Sequence, residues 1–99
     1  MNNLNKILKQ IRIFNYLNQA QLSDKISLSR SYISEIETGK KIPSMEVLEK
    51  YARTFDIPLS AIMIFAENYE NKEGWKNKAK ALLTKNTVKF LEWISEGEK

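Results

Sequence analysis

Apolar residues at the start of the chain fall on one side of a helix. Leu4, Ile7, Leu8, Ile11 and Leu17 recur at helical spacing, Phe14 extends the same face, and Lys6, Lys9 and Arg12 decorate the outside. The pattern predicts a first helix over about residues 4–17. Asn15 and Asn18 then interrupt it, because asparagine side chains compete for backbone hydrogen bonds and favour turns and caps. Leu22 and Ile26 lie one turn apart, Leu28 falls in a turn, and Ile33 and Ile36 are three apart, which predicts two short helices with Asn18 and Ser29 as caps and Thr38-Gly39 closing the second. Each has a single narrow apolar face, so each folds only against something else. Lys40-Lys41-Ile42-Pro43-Ser44 follows as a positively charged loop, in which Pro43 disfavours helix at the residue before it and Ser44 is placed to cap what comes next. Val47, Leu48, Tyr51, Ala52 and Phe55 mark a fourth helix, and Asp56-Ile57-Pro58 ends it and opens a fifth near Leu59. No segment alternates convincingly as a strand and no internal repeat or low-complexity run occurs, so the expected class is all-α.

The last third is organised differently. Ala61 to Ala66 is apolar on nearly every side and needs cover beyond what one small core offers. Asn68 to Gly74 is polar and reads as a linker or a helix end. Trp75, Ala79, Leu82, Leu83, Phe90, Leu91 and Ile94 then resume helical spacing, widened by Val88 and Trp93, while Thr84 to Thr87 is a poor helix former at which the segment kinks or divides. The expected organisation is therefore a five-helix unit over residues 1–67 and an extension of one or two helices over 68–99.

Composition narrows the function. The 99 residues and 42% hydrophobic content suffice for one domain with a modest core. A net charge of +4 is consistent with a polyanionic partner, and six lysines against one glutamate between residues 72 and 89 make the extension locally basic. That basic side reads first as a solvated face and secondly as a source of extra phosphate contacts. The chain has no cysteine and no histidine, which excludes thiolate and imidazole metal sites, disulfides and cysteine or histidine nucleophiles, and argues against an enzyme. We expect neither cofactor nor metal. The longest apolar run is too short to span a bilayer and no signal peptide precedes it, so the expected location is cytoplasmic, with no membrane partner.

The side of the third helix away from Ile33 and Ile36 carries Arg30, Ser31, Tyr32, Ser34 and Glu35, a dense set of hydrogen-bonding groups without a catalytic constellation. Alone, such a face is ordinary solvated surface. It stands, however, within a longer pattern: Leu17-Asn18-Gln19-Ala20-Gln21-Leu22, then Tyr32-Ile33-Ser34-Glu35-Ile36-Glu37, then Gly39-Lys40 followed by Pro43-Ser44 and Leu48. In this order and spacing, residues 4 to about 66 resemble the helix-turn-helix domain of the Cro and phage-repressor (Xre-type) transcription regulators.

The resemblance implies a five-helix, lambda-repressor-like domain that docks its third helix in the major groove of double-stranded operator DNA, usually as a homodimer on a palindromic site. Carried over position by position, it implies that Gln19 faces a phosphate and braces the recognition helix, and that Ser29, Arg30, Ser31, Ser34 and Glu35 reach base edges or nearby phosphates. Arg30 suits the O6 and N7 acceptors of guanine, and Glu35 suits a cytosine amino group. Tyr32, Lys40 and Lys41 resemble backbone contacts. Arg12 and Glu37 match an internal ion pair, against the plainer reading of two unconnected surface charges. The two-fold assembly of such regulators suggests a dimer interface drawn from Ile64, Phe65, Trp75, Leu82, Phe90 and Trp93, with an intramolecular cap as the alternative. Two positions depart from the pattern: Ser23 stands where the family usually has alanine, and Ser27 where it usually has the glycine of the turn. A competing function for the same fold is a protein-interaction module, such as an antitoxin or adaptor, whose protein partner would engage the C-terminal third.

Overall fold

The computed structural model describes residues 3–71 and 84–96. Six helices occur among them: α1 Leu4–Phe14, α2 Gln19–Ile26, α3 Arg30–Glu37, α4 Met45–Phe55, α5 Leu59–Glu67 and α6 Lys85–Ser95. The described residues contain no strand. None of their helices is long and apolar enough to cross a membrane.

Helix α1 stops at Phe14, short of the expected Leu17. The Leu17 N–H donates to the Arg12 carbonyl at 3.2 Å and the Tyr16 N–H to Ile13 at 2.9 Å, the paired bonds of a Schellman end, while the Asn15 amide donates to the Ile11 carbonyl. Tyr16 makes this turn with φ of +59° and its side chain 93% exposed. Two more helix ends use the same left-handed conformation without glycine: Ser27 after α2 at +60° and Asp56 after α4 at +52°. A β-carbon in that region crowds the carbonyl oxygen and costs roughly 1 kcal/mol per residue. Three corners of this small fold are therefore strained.

One core joins all six helices. Leu4, Ile7, Leu8 and Ile11 of α1 pack with Leu22, Ile26, Ile33, Ile36, Val47, Leu48, Tyr51 and Phe55 from α2 to α4, and with Ala61, Ile62, Phe65 and Ala66 of α5. Helix α1 lies against α3, α5 and α6, and α2 against α3 and α4, so the α2–α3 pair is backed on its whole inner side.

Helix α6 answers the question of what covers α5. The threonine-rich patch proves to be a helix boundary: the Thr84 hydroxyl caps α6 by accepting from the Thr87 N–H. The same hydroxyl donates to the Asp56 carbonyl at 3.1 Å, and the Asn86 amide donates to the Phe55 carbonyl at 3.2 Å, which pins the start of α6 to the α4–α5 corner. Further along, Phe90 is fully buried with ring centroids 5.5 Å from Phe14, 5.4 Å from Phe65 and 6.1 Å from Trp93. Of the residues expected at a dimer surface, Phe65 and Phe90 are buried against each other within the single chain. Ile64 and Trp93 are half-buried. Trp75 and Leu82 lie outside the described residues.

Candidate nucleic-acid interface

The α2–turn–α3 unit is built by local capping. Asn18 Oδ1 accepts from the Gln21 N–H at 2.7 Å while Gln21 Oε1 accepts from the Asn18 N–H at 2.8 Å, a reciprocal box that satisfies two otherwise orphaned donors. Gln21 carried no role in the sequence reading, although its spacing from Asn18 is that of a capping box. The turn follows through Ser27 in its left-handed conformation, and the Ser23 hydroxyl donates to the Leu28 carbonyl. Serine at 23 thus supplies a hydrogen bond across the turn that alanine could not. Ser29 caps α3 by accepting from the Tyr32 N–H at 3.1 Å.

Ile33 and Ile36 bury one face of α3. On the other, Ser29, Arg30 and Ser31 are exposed, and Tyr32, Ser34 and Glu35 half-buried. Gln19, Arg30, Ser31, Ser34 and Glu35 line one shallow, open hollow. Guanidinium, hydroxyls, a carboxamide and a carboxylate converge there with no nucleophile activated by a base. Such a surface can form directional hydrogen bonds to a presented edge.

Beneath the hollow sits a charged brace. Arg12 Nε donates to Glu37 Oε2 at 2.7 Å and Nη2 to Oε1 at 2.9 Å, a bidentate pair, while Nη1 donates to the Leu17 carbonyl at 2.8 Å. Gln19 Nε2 adds a third bond to Glu37 Oε1 at 3.1 Å. The Arg12 and Glu37 side chains are only 12% and 2% exposed. A carboxylate at the C-terminal end of a helix opposes the helix dipole, so Glu37 depends on these donors. They tie α1, the α1–α2 turn, α2 and α3 into one body at the end of α3. Tyr51 lies within reach of this field: burial first, then the Glu37 carboxylate, pushes its phenol above the ordinary tyrosine range, with Arg12 acting in the opposite direction. Its hydroxyl is buried without a hydrogen-bond partner among the described residues.

After α3 the chain reverses at Gly39, whose φ of +81° is the left-handed turn that glycine adopts without strain. The Gly39 N–H donates to the Ile36 carbonyl at 3.1 Å. Lys40 and Lys41 are exposed beside α3, and Lys41 Nζ lies 5.8 Å from the centre of the Tyr32 ring. Pro43 is buried, and nearby Ile42 at 81% and Met45 at 57% are among the most exposed large apolar residues described. Nothing in the periodicity singled them out.

A family model described as helix-turn-helix matches residues 8–62, more than half of the chain. The chain is similar to an immunity repressor protein of Bacillus phage phi105, 43% identical over 56 residues that make up 57% of this chain and 39% of that protein. It is also similar to the ImmF control region 10 kDa protein of the same phage, 29% identical over 77% of this chain and 84% of that protein. An uncharacterized HTH-type transcriptional regulator of Methanocaldococcus jannaschii is 34% identical over 62% of this chain and 92% of its own length. The chain spans about two fifths of the length of the first relatives it matches. No solved structure gives a significant match.

Proposed function

The chain belongs to the helix-turn-helix family of Cro and phage-repressor (Xre-type) regulators, and from that premise we propose that it is a sequence-specific, DNA-binding transcription regulator that reads its operator with α3. Arg30, Ser31, Ser34 and Glu35 face the base edges of the major groove, with Arg30 set for guanine. Gln19, Ser29, Tyr32 and Lys40 hold the flanking phosphates and fix the register of α3, and Lys41 adds positive charge beside them. The observation that supports this best is the convergence of Gln19, Arg30, Ser31, Ser34 and Glu35 on one open surface above the buried Arg12–Glu37–Gln19 network. A reading face needs little adjustment on binding when its backing is locked in this way. The operator is a palindrome bound by a homodimer, because two copies of α3 must be presented about one DNA turn, roughly 34 Å, apart. Ile64 and Trp93, each half-buried, keep part of their apolar surface available for that contact.

Selection from random duplex DNA, followed by binding measured across a salt series, tests this reading. The expected product is an inverted repeat with half-sites roughly 10 base pairs apart, and an affinity that falls linearly with log salt. Lys40→Ala should shallow the slope by about one phosphate's worth while leaving the motif unchanged. A flat salt dependence for the native protein, with no enriched motif, refutes DNA reading; a motif with a single half-site refutes the dimer.

A further inference from the structure

The two loop lysines differ in their surroundings. Lys40 makes no ion pair among the described residues, whereas three contacts tie Lys41 to α3. Its backbone N–H donates to the Glu35 carbonyl at 3.1 Å, its ammonium stands 3.5 Å from Glu35 Oε1, and the same ammonium lies over the Tyr32 ring. The reversal at Gly39 makes this possible by folding residue 41 back beside the outer turn of α3. Glu35 forms part of the reading hollow with Arg30 and Ser31. No described residue hydrogen-bonds its second carboxylate oxygen.

An exposed ion pair of this kind adds little to stability. Its consequence is directional: a carboxylate acceptor and an ammonium donor are held side by side on the surface that faces the groove. In the major groove a C·G pair presents a matching edge, with the cytosine N4 amino group as donor beside the guanine O6 and N7 acceptors. Thymine and adenine offer a different order of groups, and an unpaired Glu35 would be free to swing between them. We propose that Lys41 and Glu35 act as one reading unit for a C·G base pair, with Lys41 positioning the Glu35 carboxylate against the cytosine amino group and directing its own ammonium to the guanine. Lys41 is then a specificity-determining residue in addition to a source of charge, and Lys40 is not. The inference rests on the DNA-reading role proposed above.

Selection from random duplex DNA with the native protein, Lys41→Ala, Lys41→Arg, Glu35→Gln and Lys40→Ala distinguishes the two, with circular dichroism showing that each variant is folded. Lys41→Ala and Glu35→Gln should relax the same C·G position, each lowering discrimination there roughly tenfold or more. Lys41→Arg should restore it, since the guanidinium keeps both the charge and the donors. Lys40→Ala should return the native motif. If Lys41→Ala also returns the native motif and merely binds every sequence more weakly, Lys41 is a phosphate ligand and the inference is overturned while DNA reading stands. A relaxed position that is not C·G overturns it as well. If the native protein selects no motif, DNA reading itself fails and the inference with it.

Discussion

Replacing Phe90 by alanine tests whether α6 caps the core of its own chain, the alternative that the sequence sets beside a dimer arm. Phe90 is fully buried and packs against the rings of Phe14, Phe65 and Trp93, so the substitution removes an aromatic side chain from a site whose described aromatic neighbours belong to α1, α5 and α6. Phenylalanine-to-alanine changes in cores cost about 3–5 kcal/mol, and edge-on aromatic contacts such as that with Phe14 favour the upper half of this range. For a domain of this size 1 kcal/mol moves the thermal midpoint by roughly 4–8 °C, so a fall of about 15–40 °C is expected. If α6 undocks before the remainder melts, the global loss stops at the docking free energy. A Trp75→Phe background, which leaves Trp93 as the one remaining tryptophan, reports that undocking separately by fluorescence. A loss below about 1 kcal/mol in both readouts would refute the enclosure of Phe90 by its own chain.

Arg12→Ala should destabilise by about 3–5 kcal/mol in urea unfolding, since it strands the Glu37 carboxylate, 2% exposed, without its counter-ion. Arg12→Met combined with Glu37→Leu should recover most of that loss, and a double-mutant cycle without coupling would contradict the pairing. Tyr16→Gly should raise stability by roughly 1 kcal/mol, because the left-handed strain is relieved and a 93% exposed ring has little packing to lose; an unchanged midpoint would show the strain to be absent. Tyr51 supplies a pH test. Its phenol is held protonated in the folded state beyond the point, near pH 10, where an unfolded tyrosine ionises, so the folded chain binds the extra proton and stability declines above that pH. Up to about 1.4 kcal/mol per pH unit should disappear from this decline in Tyr51→Phe, which at neutral pH should be neutral or slightly stabilising because the buried hydroxyl has no partner.

The parts of the fold legible in the sequence are those governed by neighbours along the chain. Asn18, Ser29 and Ser44 each cap the helix that follows, and the apolar spacing of Ile33 and Ile36 gives α3 its buried face. The end of α1 is not legible in the sequence because its stop signal is a tyrosine at positive φ, and nothing about tyrosine announces that conformation. Arg12 and Glu37 lie 25 positions apart, so their pairing depends on how three helices cross, a matter on which local spacing is silent. Only the family resemblance suggested it. The apolar face of α6 was equally visible, yet periodicity states that Phe90 is buried without stating by which chain. The tie between Lys41 and Glu35 required the Gly39 reversal to be seen in three dimensions.

Helix α6 is also a covalently attached ligand of its own chain. It occupies a seat made by Phe14, Phe65 and the carbonyls of Phe55 and Asp56. In dilute protein each seat is filled from its own chain, because that docking is unimolecular and a neighbour's is not. In concentrated stocks the advantage narrows, and two chains can trade helices while keeping the same ring contacts and hydrogen bonds in both seats. Such exchanged pairs would persist after dilution for as long as α6 stays docked, so the oligomeric state measured for this protein will carry a memory of how concentrated the sample once was.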